Sequence, residues 1–206
     1  MTLALLLLVS SAGTDWPIQP TEMSLQANGG WGNTHEKTHG VNSQLRNSLG
    51  GDCFYLMWGR CAQFQKLRSP RIRQVSAQVK MRGDVAWYLT GSPAWDDTPM
   101  YLFDELISYT NGAHDAWNSN KSDNHATVQY ALEFAHYTAV LVQMIPASYP
   151  DRQRVAKFWC WNALRLVMIA KRVKDSRHFL YRSSSDRWYT QMEADWQQIV
   201  RIANGE

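Results

Sequence analysis

The chain has 206 residues, 45% of them hydrophobic, ten tryptophans and a formal charge of only +3. That is enough apolar mass for one sizeable core and one domain, and the sequence holds neither an internal repeat nor a low-complexity tract. Its three cysteines lack the C-x-x-C spacing of a thiolate metal or redox site, so cysteine-based metal chemistry is excluded.

The amino terminus opens on an apolar run, Leu3 to Val9, of about the minimum length for a signal-peptide core. Ser10-Ser11-Ala12 follows it with small residues suited to cleavage after Ala12, although no Lys or Arg precedes the run. The run is too short to span a bilayer. It predicts a signal peptide over 1–12, a mature domain over 13–206, and a secreted or periplasmic protein. Gly13 to about Gly32, with Pro17 and Pro20, reads as an extended arm laid over the core.

Residues 35–39 are His-Glu-Lys-Thr-His, an H-E-x-x-H string. Behind the glycine-rich turn 28–32, with Asn33 or Thr34 as N-cap, this segment predicts a helix that ends near Leu49-Gly50-Gly51. On a helix, positions i and i+4 lie about 40° apart, so His35 and His39 share a face and suit one metal ion. Glu36, roughly 100° around from His35, is placed to take a proton from water at that metal without being a ligand. Lys37 is a charged residue in a position that zinc peptidases usually leave uncharged.

Downstream, Cys53 and Cys61 flank an aromatic stretch and would close a small disulfide loop in an oxidising compartment, leaving Cys160 buried and unpaired in an apolar setting. Segment 53–66 reads as a strand or hairpin. Ser69-Pro70 predicts the start of a helix to about Val79. Tyr101 to Gly112 reads as a short apolar helix with an acidic pair, Asp104-Glu105, stopping at Asn111-Gly112. Three longer helices are predicted over Ala126–Ile145, closed by Pro146, over Asp151–Lys174, and over Asp186–Asn204.

The two short segments 35–43 and 104–112 together resemble the gluzincin metallopeptidases, in which a helical glutamate downstream of H-E-x-x-H completes the zinc site and an aromatic residue follows about one turn later. They also resemble a group of uncharacterised secreted bacterial proteins with zincin-like motifs. The resemblance implies Glu105 as third ligand, Tyr109 as the following aromatic, and a helix-rich α+β zincin-like domain. His35, His39 and Glu105 would then hold Zn2+, Glu36 would act as base, and Tyr109 or His114 would donate to the oxyanion, with a peptide or protein as substrate.

Two other classes compete. His125, Gln129, Glu133 and His136 form a polar stripe on the apolar helix 126–145. Such a stripe needs partners, either at the metal site or, for Glu133 and His136, in each other or in surface bases. Glu36-x-x-His39 and Glu133-x-x-His136 also repeat the doublet of ferritin-like di-iron or di-manganese proteins, with Glu105 and Glu193 as the further carboxylates. Finally, Arg152 to Arg182 holds nine Lys or Arg and one acid, Asp175, a stretch that suits a non-catalytic polyanion-binding module. The plainer alternative is a solvated face whose apolar side, including Trp159, Leu164 and Val167, packs inward. Nucleic acid fits an exported protein poorly.

Overall fold

Asn33 caps the first helix: its side-chain oxygen accepts the Glu36 N–H at 3.2 Å, and α1 runs over Thr34–Leu49. The computed structural model describes residues 18–23, 33–91, 93–118, 125–175 and 184–206. The predicted signal peptide lies outside them, as does most of the predicted arm. Helix α1 ends where the sequence placed its end, because Gly50 and Gly51 both adopt φ 73°, in the left-handed region. At Gly51 no other residue fits, since a Cβ there would stand 2.2 Å from the Phe64 carbonyl oxygen.

The described part of the arm contributes β1 (Ile18–Pro20) to a three-stranded antiparallel sheet with β2 (Asp52–Tyr55) and β3 (Arg60–Phe64), in the order β1-β3-β2. Segment 53–66 is therefore the hairpin that was one of its two readings. Its turn carries two non-glycine residues in the left-handed region, Met57 at φ 69° and Trp58 at φ 50°. Helix α2 (Ile72–Gln78) begins later than predicted. Pro70 stays in the connecting turn, and Arg71, whose N–H is accepted by Gln74 Oε1 at 2.8 Å, is the N-cap.

Two short 3-10 turns, Ala86–Leu89 and Pro93–Trp95, lead to α3 (Tyr101–Asn118), α4 (His125–Met144), α5 (Arg152–Asp175) and α6 (Ser184–Ala203). The class is helix-rich α+β, as expected. Helix α3 runs through the Asn-Gly expected to end it. The Asn111 side chain is fully buried, donating to Thr38 Oγ1 at 3.3 Å and to the Tyr55 carbonyl at 3.0 Å, so tertiary hydrogen bonds override the local terminator.

Helix α4 is the centre of the core, packed against α2, α3, α5 and α6. Phe54, Phe64, Phe103 and Phe158 knit the sheet, α3 and α5 into one aromatic cluster, each ring at most 1% exposed. Burying such a ring contributes about 1.5–3 kcal/mol. Trp159 is buried beside them with its indole N–H on the Ala135 carbonyl at 2.9 Å, and Leu164 and Val167 also face inward. A smaller cluster of Val41 and Leu45 with Cys53, Tyr55 and Cys61 seats α1 on the sheet. Among the described residues no helix is long and apolar enough to cross a membrane.

The predicted Cys53–Cys61 bridge is absent: both cysteines are buried and neither is in a disulfide. The sheet register explains it. Cys53 lies opposite Gln63 and Cys61 opposite Tyr55, which makes the cysteines diagonal neighbours. Diagonal Cα atoms stand about 7–8 Å apart, beyond the ~4.4–6.8 Å that a disulfide spans. Cys160 is buried and unpaired as expected, and burial pushes its thiol up to about 12.

Candidate metal centre

Helices α1 and α3 run antiparallel, clamped by a ladder of polar contacts. Thr34 Oγ1 donates to Asp115 at 2.7 Å, Asn111 reaches Thr38, and Arg46 Nη1 donates to Asp104 at 2.6 Å. Between those rungs the ladder brings His35, His39 and Glu105 together, the one such metal-competent group among the described residues. Nε2 of His35 and Nε2 of His39 face each other at 3.1 Å, and Glu105 Oε2 stands 3.6 Å from the first and 3.5 Å from the second. A zinc ion about 2.0–2.2 Å from each of three tetrahedral ligands requires ligand atoms roughly 3.3–3.6 Å apart, and two of the three separations fall in that range while the third is slightly shorter.

The donors are otherwise unspent. Glu105 is 1% exposed and its Oε2 has no hydrogen-bond partner, as does Nδ1 of His35. A buried carboxylate oxygen costs free energy unless a hydrogen bond or a cation satisfies it. Two imidazole nitrogens and a carboxylate oxygen converging in this way form a donor set suited to a divalent metal ion.

The consecutive acids of α3 point about 100° apart, so one reaches the ligand point and the other passes behind His39. Asp104 Oδ1 accepts from His39 Nδ1 at 2.8 Å and from Asn42 Nδ2 at 2.7 Å. This fixes the His39 tautomer with the Nδ1 proton on Asp104 and Nε2 free to bind a metal. His35, His39, Asn42 and Arg46 thus form one helical stripe in steps of four, three and four, longer than the H-E-x-x-H string that marks its start.

Charges in the metal-free site are unequal. Burial, aided by the neighbouring His39, lowers His35 to about 4, so its ring is neutral at ordinary pH. Burial also acts to lower His39, but the carboxylates of Asp104 and Glu105 outweigh it and push that ring up to about 10. Burial opposes ionisation of Asp104 as well, and is overcome by His39 and Arg46, which hold the carboxyl below its usual range. The metal-free centre therefore carries a proton on His39 where a cation would sit. A raised histidine pKa stabilises the metal-free fold fully below about 6.5, and that contribution is lost as pH rises through about 10.

Metal uptake must displace this proton. Between pH 6 and 9, zinc affinity is expected to rise about tenfold per pH unit, with one proton released per ion. Zinc titrations against a competing chelator in two buffers of different ionisation enthalpy measure both quantities. A pH-independent affinity would contradict the arrangement.

Aromatic rings wall the centre. Tyr109 lies on His35 with ring centroids 4.0 Å apart. Tyr101 stacks near His39, with ring centroids 6.3 Å apart. Burial first, and the Glu105 charge second, push Tyr88 up to about 12 and raise Tyr101 further, so both keep their protons as donors. Glu36 is exposed at the rim, with its Oε1 3.8 Å from His35 Nε2.

The other expectations fare differently. His114 is nine residues beyond Glu105, which is about 180° around the helix, and packs edge-on against Trp58 with ring centroids 4.9 Å apart. It does not face the centre, and its assignment as oxyanion donor is corrected. The polar stripe of α4 also serves other ends. Glu133 accepts the backbone N–H groups of Asp84 and Val85 at 3.2 and 3.1 Å, with Gln129 beside it, and pins the loop before the first 3-10 turn. His136 Nδ1 pairs with Asp195 of α6 at 2.8 Å. The side chain of His125 lies outside the described residues. Glu133 and His136 thus face different elements and neither each other nor surface bases, which removes the second E-x-x-H half of a di-metal site; Glu193 joins no metal-competent group among the described residues.

The basic stretch of α5 is divided as well. Arg152 is tied to the Ile145 carbonyl and Arg154 to Asp151, while Arg165 is buried and Lys171 and Arg172 are exposed. No family model, curated protein or solved structure matches this chain.

Proposed function

We propose that the chain is a zinc-dependent hydrolase of the zincin type, cleaving a peptide or related amide bond. The observation that carries this reading is the convergence of His35 Nε2, His39 Nε2 and Glu105 Oε2 within 3.6 Å of one another, with the Glu36 carboxylate at the rim 3.8 Å from His35. A zinc ion held there would lower the pKa of water to about 7 and polarise a carbonyl.

The chain's own residues supply the rest. Glu36 lies at the solvent edge, where it takes the proton of the attacking water and passes it to the leaving amine. Asp104 holds His39 in the ligating tautomer and balances its charge. The Tyr109 hydroxyl, on the ring that packs against His35, is the donor for the tetrahedral oxyanion. Export through residues 1–12 would place this activity outside the cytoplasm, a reading that rests on the sequence alone.

Screening a peptide mixture with the zinc-loaded protein tests the proposal. Cleavage that a strong zinc chelator abolishes and added zinc restores is the expected result. Cleavage indifferent to the chelator would remove the metal from the chemistry.

A further inference from the structure

On the side of α3 away from the metal centre, α5 and the hairpin turn border a cavity of about 640 Å³, within the size range of small-molecule sites. Its lining combines apolar surface with positive charge that no carboxylate among the described residues neutralises. Arg165 is the central member. It is 6% exposed, and its Nη2 donates to Asn111 Oδ1 at 2.7 Å, while Nε and Nη1 are buried with no hydrogen-bond partner. Among the described residues no carboxylate pairs with it, and burial alone lowers its pKa to about 10. The guanidinium also lies 5.6 Å over the Trp161 ring and its Nη2 reaches Met57 Sδ at 3.5 Å, but neither contact supplies a counter-charge, and a buried charge without one is costly.

The surroundings add to that field. Lys171 and Arg172, both exposed, stand on the following turns of α5 at the same cavity. His114 lines it too, and burial together with Arg165 and Arg172 lowers its pKa, as expected for an imidazole among cations. The apolar side is also unusual. Trp58 at 63% exposure and Met168 at 53% are two of the four large hydrophobic side chains exposed among the described residues, and both border this cavity. Trp58 is held there by the left-handed backbone at Met57 and Trp58, a conformation that L side chains rarely adopt.

We propose that this cavity binds a small amphiphilic anion, with a carboxylate or phosphate head against Arg165 and Arg172 and an aliphatic or aromatic body between Trp58, Trp161 and Met168. A guanidinium fork suits both head groups. The site is separate from the metal centre and does not depend on the hydrolase reading.

Titration of the full chain with decanoate, decyl phosphate, decanol and inorganic phosphate, followed by tryptophan fluorescence and calorimetry, provides the test. One of the two amphiphilic anions is expected to bind saturably, one per chain, at least tenfold more tightly than decanol or inorganic phosphate. The tighter of the two identifies the head group. Arg165→Gln should weaken it ~10–100-fold, the value of a buried charged hydrogen bond. Should that variant fail to fold, Arg172→Gln, at an exposed position, is expected to weaken binding several-fold. Glu105→Ala should leave it unchanged. Absence of saturable binding at millimolar concentration, decanol binding as well as decanoate, wild-type affinity in Arg172→Gln, or loss of binding in Glu105→Ala would each overturn the proposal.

Discussion

Glu36→Gln is expected to lower hydrolysis by ~10²–10⁴-fold while zinc content and fold stay as in the wild type. The substitution keeps the shape of the side chain and removes its ability to accept a proton. The side chain is exposed, touches the centre only at 3.8 Å from His35, and caps no hydrogen bond of the core, so there is little structure to lose. Activity and bound zinc measured on the same preparation separate the two roles. If Glu36→Gln loses its metal, Glu36 is a ligand; if it keeps its activity, the proton goes elsewhere and the mechanism proposed for Glu36 fails.

Asp104→Asn should weaken zinc binding by ~10–100-fold without touching any ligand. Asp104 is 2% exposed and holds three partners from α1: His39, Asn42 and Arg46. An amide in its place removes the charge that favours the cationic centre and no longer enforces Nδ1 protonation of His39. The proton on His39 in the metal-free protein should then titrate at lower pH, because the largest single interaction that raises it comes from Asp104. Competition with a chromophoric chelator measures the affinity, and an NMR titration of the imidazole measures the pKa. Unchanged values in both would show that Asp104 only ties the helices together.

Much of this arrangement was legible from residues alone. The i,i+4 histidines, the Asn33 cap and the Gly50-Gly51 stop are local signals, and the three long carboxy-terminal helices follow from unbroken apolar runs. Glu105 came from the resemblance of 104–112 to the second gluzincin motif; by itself its segment read equally as an amphipathic helix with an exposed acidic start. What escaped was set by tertiary geometry. Asn111-Gly112 reads as a terminator until Asn111 is seen bridging Thr38 and Tyr55. Glu133 and His136 looked like a shared metal doublet, yet they face different elements, a loop and α6. Tyr88 and Tyr101 have no motif and enter the site only because the 3-10 segment folds against α3. Asp104 did have a signal that was passed over: continuing the His35–His39 face by helical steps reaches Asn42 and Arg46, a polar stripe that calls for a carboxylate opposite.

The central claim is that His35, His39 and Glu105 hold one metal ion. Its most direct test is the zinc content of the purified protein beside Glu105→Ala, by elemental analysis after dialysis at a fixed free-zinc concentration. The wild type should retain one zinc per chain, and Glu105→Ala, folded by circular dichroism, should lose it. Zinc retained by Glu105→Ala at the wild-type level, or a wild type that binds none, would contradict the account.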